Sequence, residues 1–436
     1  MEIPATTLSS LLLLAGGLAA IALYTLVALK RPWFATVVAL VSLALIPFWI
    51  GVNISVFFVS AHLVLLAVAA LSILANRLAR IRLHAVDLVL LLVYVVTLAA
   101  MVPGLTTIHQ GYTFSQWLLA YWFARIAAEA FGIRRLATVL ALAFPVTAVT
   151  MVVEWVSGTN PWHTFMAVDN AAFHEWSALQ SRGGVLRAEG PFGHSIAAGS
   201  VLAVAAILTL DAKLPVVLRV QSIAVMAIGI GLTISRISMI TAALGITLTI
   251  IATRSSLTRR ARIVILGGLF AFATTTLVLL RDVFAISGAE AANSASYRYW
   301  LLDLLPTLNP VGYAASYNHN TAGTTSFGSF GSVDSAVLFF ALTHGWIPAV
   351  IMLGLMGAAV LHVLRLRGGV AAAAVVAQVP ALFSVALITS YSLVFWMSVG
   401  LAVAEAIRAG SNPLQTDAVT PTTSNVPSRP KEPLAC

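Results

Sequence analysis

Three ionisable residues, Arg187, Glu189 and His194, fall within one short stretch, LRAEGPFGHSIAAGS, that leads into a long apolar run. Arg236 stands between two apolar runs in GLTISRISMITAAL, and Arg298 is flanked by three aromatics, Tyr297, Tyr299 and Trp300, in SYRYW. His319 lies in the Gly/Ser/Thr-rich stretch after it, and Asp334 closes that stretch in TTSFGSFGSVD. These residue types suit one kind of chemistry. Guanidinium groups grip phosphate oxygens in a planar fork and stabilise charge that develops on them. A carboxylate or imidazole takes the proton from an attacking hydroxyl. The candidates for that base are Asp334, Glu189, His319 and Asp303. Each residue also has a plainer reading. Arg187 suits a membrane interface with its head in water, Arg298 a surface cation–π contact, and Asp334 a helix cap. His319, His163 and His174 read as solvated loop histidines.

The surroundings decide where this chemistry sits. The chain has 436 residues, 60% hydrophobic and only 9% charged. A soluble domain carries roughly 25% charged residues, so the composition predicts a polytopic membrane protein. Apolar runs near the length of a bilayer-spanning helix recur at about 8–29, 33–50, 54–75, 86–102, 114–131, 136–156, 191–210, 215–233, 237–253, 263–280, 333–361, 370–389 and 391–408. The N-terminal run has no basic segment before it and is expected to stay as the first helix. The fold class is therefore all-α, a transmembrane helical bundle over 1–410. The Pro- and Thr-rich stretch 411–436 is expected to be a disordered cytoplasmic tail.

Charge orients the bundle. Lys30/Arg31, Arg77/Arg80/Arg82, Arg134/Arg135, Lys213, Arg254/Arg259/Arg260/Arg262, Arg365/Arg367 and Arg408 all fall in loops of one side, which marks that side as cytoplasmic. The net charge of +9 is thereby accounted for without nucleic acid. The loops at 157–190 and 281–332 then face outward, and they carry the candidate residues. Asp87, Glu129, Glu154 and Glu405 lie near span ends or isolated. Few ionisable groups line the spans, which argues against a polar transport path through the bilayer. No HxxxH or HExxH spacing supports a bound metal, and no glycine-rich nucleotide loop is present. The one cysteine, Cys436, excludes an internal disulfide. Arginines at the outer face predict a polyanionic headgroup, and a polyprenyl diphosphate-linked glycan fits, its tail in lipid and its sugars against the aromatic loop.

Four segments resemble the O-antigen ligase and polymerase superfamily of bacterial membrane glycan transferases. RAEGPFGHSIAAGSVLAV resembles its arginine–glycine helix start, and LTISRISMITAALG its Ser-Arg segment between two helices. YRYWLLDLLPTLNPVGYA is similar to the arginine, aromatic and Pro-x-Gly pattern of its large outer loop. VDSAVLFFALTHGWIPAVIM is similar to its closing helix. The resemblance covers about 185–355. It implies a glycosyltransferase-C-like fold with a cavity facing out of the plasma membrane, for which the apolar runs give 12–13 helices. It further implies Arg187 and Arg298 on the lipid-linked diphosphate, and Arg236 as a structural or phosphate-contacting member. Asp334 would be the acceptor's base, in a position where the ligases carry histidine, so that the chain is closer to the exopolysaccharide polymerases. Glu189, His194, Tyr297, Trp300 and His319 complete the expected substrate contacts. The expected partners are the undecaprenyl diphosphate-linked donor, a glycan or lipid acceptor and membrane lipids. No cofactor or metal is expected, and transfer would be inverting. A transporter or lipid flippase is the competing class.

Overall fold

The computed structural model describes residues 5–252, 258–279, 281, 296–319 and 325–410. The stretch expected to be a disordered tail, 411–436, lies outside them. The helices in chain order are α1 (Ala5–Lys30), α2 (Pro32–Leu45), α3 (Ala61–Ala75), α4 (Ala85–Met101), α5 (Ile108–Phe131) and α6 (Ile133–Ser157). Two short helices follow, α7 (Pro161–Phe165) and α8 (Ala171–Trp176), and then α9 (Ser195–Thr209), α10 (Val216–Leu232), α11 (Arg236–Ala252) and α12 (Arg259–Leu279). The last group is α13 (Ala336–His344), α14 (Trp346–Leu364), α15 (Val370–Ala377), α16 (Val379–Ser384) and α17 (Thr389–Gly410). Among the described residues, α6, α14 and α17 are long and apolar enough to cross a membrane, and several shorter apolar helices accompany them.

The centre of the bundle is α9. Nearly every residue along it is buried, small and apolar residues alternating all the way round, as a helix enclosed by others requires. It packs on α6, α10, α11 and α17, while α17 packs most extensively on α5. Small residues set these approaches. A Cβ on Gly199 would lie 2.6 Å from the Ser238 hydroxyl, so α11 can come this close only to glycine.

The two ends of the bundle are distinct. At one end Arg134 pairs with Asp211 at 3.0 Å, the Lys213 amide donates to the Thr138 hydroxyl, and the Arg408 guanidinium donates to the Ala128 carbonyl. Basic loops far apart in sequence therefore meet at a common end. At the other, the Phe48 amide donates to the Pro191 carbonyl, the Trp49 indole to the Met166 carbonyl, and the Tyr313 amide to the Leu105 carbonyl.

Several expectations need correction. The bundle is mostly but not purely helical: among the described residues strands pair in three small antiparallel hairpins, β1–β2 (Gly51–Ile54 with Phe57–Ser60), β3–β4 (Ser181–Arg182 with Val185–Leu186) and β5–β6 (Tyr317–His319 with Thr325–Phe327). The apolar run 33–50 is helical only to Leu45, and the Val, Ile and Phe residues after it prefer a strand that turns at Ser55, where φ is 56°. The run 333–361 breaks at Gly345, whose φ of 95° places it against the Pro310 carbonyl. The run 370–389 breaks at Gln378, because Pro380 has no N–H to continue the helical ladder. Asp87 is not isolated: buried, it accepts from the Tyr121 hydroxyl and pairs with Arg125 at 3.1 Å. Glu405 is buried as well and accepts from the Ala371 and Ala372 amides at the start of α15, where the helix dipole favours an anion.

Candidate functional site

The segment between β4 and α9 is fixed from several directions. Its anchor is Glu154, in the last turn of α6 and wholly buried. Its two carboxylate oxygens accept the backbone N–H groups of Glu189 and Gly190 at 3.0 and 2.8 Å. The Asn160 amide donates to the Gly190 carbonyl at 2.9 Å, and the Ala188 amide to the Leu232 carbonyl. Arg187 is buried too, its Nε donating to the Thr233 carbonyl at 2.9 Å. His194 ends the segment as the N-cap of α9, its Nδ1 accepting from the Ile196 amide at 3.1 Å. Gly193 has a φ of 63°, and a Cβ there would meet the Trp176 carbonyl, so glycine lets the segment pass under α8. The Trp176 ring packs on the His194 ring at 6.1 Å.

The second segment starts in the helical turn 296–300 and returns at 332–335. The Tyr297 hydroxyl donates to the Ser332 carbonyl, and its ring packs edge-on against Phe330. Arg298 and Asp334, on the two strands of chain so joined, are both exposed. Asp334 is not the cap of α13. That place belongs to Ser335, whose hydroxyl oxygen accepts from the Leu338 amide at 3.3 Å.

Both segments contribute to one cavity of about 560 Å³. Among the described residues, the titratable groups in its wall come from them: His194 from the first, Arg298 and Asp334 from the second. Trp176 and Ser332 adjoin these. The helices supply an apolar remainder, including Leu90 of α4, Trp117 of α5, Phe340 of α13, Met352 and Met356 of α14, and Trp396 of α17. The space is therefore amphiphilic. Its apolar part suits a hydrocarbon chain, and its charged part suits an anionic, hydroxyl-bearing group.

The other candidates are placed differently. Arg187 and Glu189 are not in the cavity wall but lie behind His194, with Arg187 near enough to act electrostatically on both. Arg236 is exposed in the first turn of α11 and does not line the cavity. Tyr297 contributes its hydrogen bond rather than a lining surface. Trp300 is 56% exposed, and His319 is exposed on β5; neither is in the wall. Asp303 is exposed in the 3₁₀ turn Leu301–Thr307, also outside it.

Glu189 is fully buried, and burial together with the charge of Glu154 pushes its carboxyl up to about 9. It is thus a poor base at neutral pH. His163, expected as a solvated loop residue, has a side chain only 16% exposed. It packs against Trp49 and Phe173, and its Nε2 lies 3.4 Å from Glu189 Oε1. His174 is solvated as expected, beside Asp169.

Sequence reasoning missed Glu154, Asn160, His163 and Trp176. The signal for Glu154 was there: a carboxylate inside an apolar run demands partners. Comparisons of the chain with protein-family models, with curated proteins and with solved structures found no match.

Proposed function

We propose that this chain is a membrane glycan polymerase or ligase. It transfers a glycan from a polyprenyl diphosphate carrier to an acceptor hydroxyl at the outer face of the bacterial plasma membrane. One observation carries the reading: a single cavity joins a long apolar wall to Arg298, His194 and Asp334. An isoprenoid chain lies along α4, α13, α14 and α17, and the diphosphate reaches Arg298. The acceptor oxygen attacks the anomeric carbon from the face opposite the phosphate. The C–O bond to the diphosphate breaks, and its electron pair leaves on the diphosphate oxygen beside Arg298, where a fixed positive charge lowers the barrier. The hydroxyl proton passes to the Asp334 carboxylate. His194 is fixed by its bond to the Ile196 amide and so presents a rigid polar surface to the sugar. The configuration at the anomeric carbon inverts. The scheme uses no cofactor, and the protein's part is to bind, orient and accept a proton.

The family resemblance of the sequence supports the same reading, as does the outward placement of both loops by the charge of the opposite ones. Three long apolar helices and eight shorter ones among the described residues are compatible with a polytopic bundle of the glycosyltransferase-C kind.

The test is reconstitution in lipid nanodiscs with a polyprenyl diphosphate-linked oligosaccharide and an acceptor glycan. Longer glycan with release of polyprenyl diphosphate supports the transferase. Movement of the intact donor across a liposome bilayer, with no bond broken, would identify a flippase instead.

A further inference from the structure

The cavity does not use the most enclosed ionisable groups of the outer end. Glu154 and Glu189 are both without solvent exposure. They are brought together because Glu154 binds the backbone amides of Glu189 itself and of Gly190. Glu154 has its oxygens satisfied by those two N–H groups. Glu189 does not: neither carboxyl oxygen accepts a well-formed hydrogen bond among the described residues. What faces it is His163 Nε2, at 3.4 Å and itself without a hydrogen-bond partner, and the Asn160 side chain. A buried carboxylate with its lone pairs unmet is costly, and a second carboxylate beside it adds repulsion. A proton removes both penalties: a carboxylic acid at Glu189 donates its O–H to the imidazole nitrogen of His163.

We infer that Glu189, Glu154 and His163 form a buried proton-binding site behind the cavity, in which Glu189 carries the proton and Glu154 holds the backbone that bears Arg187 and His194. The charged and titratable groups around it are few. Glu154 comes from α6 and His163 from α7, while Arg187 and His194 come from the segment itself. α9 carries no ionisable residue, and the one in the first turns of α17, Tyr391, lies beside Ser200. Burial and the Glu154 charge keep the acid protonated through neutral pH, with the Asn160 side-chain amide and then Arg187 pulling the other way. On losing the proton, Glu189 repels the carboxylate that clamps its own backbone. The segment loosens and the cavity wall at His194 with it. The site therefore ties the order of the cavity to the acidity of the outer medium, whichever reaction the cavity serves.

Infrared difference spectroscopy of the full chain in nanodiscs tests this. A carboxylic-acid carbonyl band is expected at neutral pH and should disappear with a midpoint near 9. Labelling with ¹³C-glutamate should shift it, and Glu189→Gln should remove that titrating component while Asp334→Asn leaves it. The wild-type chain alone decides if the variant fails to fold. No glutamate-derived acid band at neutral pH overturns the inference, and so does a titrating band that persists unchanged in Glu189→Gln.

Discussion

The Tyr297 hydroxyl donates to the Ser332 carbonyl and so fastens the turn that carries Arg298 to the segment that carries Asp334. The two groups proposed to act on opposite ends of the reaction, leaving diphosphate and acceptor proton, are thereby held as one unit. Asp334 has no helix beneath it, since Ser335 rather than Asp334 begins α13. Precision must come from such cross-links.

Tyr297→Phe removes this bond and keeps the ring on Phe330. A hydrogen bond of this kind contributes about 1 kcal/mol. Glycan transfer is expected to fall by roughly 5- to 10-fold, with thermal stability nearly unchanged. Unaltered turnover would show that the two segments need no fastening.

The arginines separate by substitution. Arg298→Lys keeps the charge and loses the fork, so transfer should drop roughly a hundredfold in a normally folded protein. Arg187→Lys acts elsewhere. Its guanidinium satisfies the buried Thr233 carbonyl, and a lysine leaves that contact poorly made at about 1–3 kcal/mol. A lowered unfolding temperature with only a secondary loss of turnover is expected. A fully stable Arg187→Lys chain without activity would return Arg187 to the diphosphate.

How much of this was legible in the sequence follows from what each feature depends on. Long apolar runs are a local property, so most helices were readable, and the basic residues Arg134, Lys213 and Arg408 do meet at one end. The break at Gly345 was not, because a continuous apolar run hides a single backbone angle set by Pro310 from outside it. The clamp by Glu154 joins residues 35 and 36 positions apart, and no spacing rule connects them. Arg298 and Asp334 were picked out by residue type at loop ends. Arg236 was picked out by the same logic and lies outside the cavity wall.

Stability should depend on pH through Glu189. Its acid form is favoured in the folded chain up to about 9, against an ordinary value of 4.5. Between those values the folded state binds more protons than the unfolded one, so stability falls as pH rises through the window and levels off above it. Glu189→Gln resembles the protonated acid and should flatten that slope. Unfolding temperatures measured by intrinsic fluorescence between about pH 5 and about pH 9 check it. An equal slope in both chains would place the titrating group elsewhere.

Asp334 and Ser335 stand side by side and separate cap from base. In the sequence alone Asp334 suited either role. The structure gives the capping bond to Ser335, whose oxygen accepts from the Leu338 amide, and leaves Asp334 exposed in the cavity wall. Ser335→Ala should therefore cost about 1 kcal/mol of stability with modest loss of transfer. Asp334→Asn should change stability little, because no helix amide depends on it, yet remove the proton acceptor. The expected loss of transfer is roughly 10²–10⁴-fold, with donor binding retained because Arg298 is untouched. Raising the pH should restore part of the activity of Asp334→Asn, since solvent hydroxide then competes as the base, and should restore none to Arg298→Lys. Near-normal transfer by Asp334→Asn would remove Asp334 from the chemistry. With Glu189 buried as an acid, His319 outside the wall and the one lone pair of a neutral His194 already taken by the Ile196 amide, the proton would then pass to water.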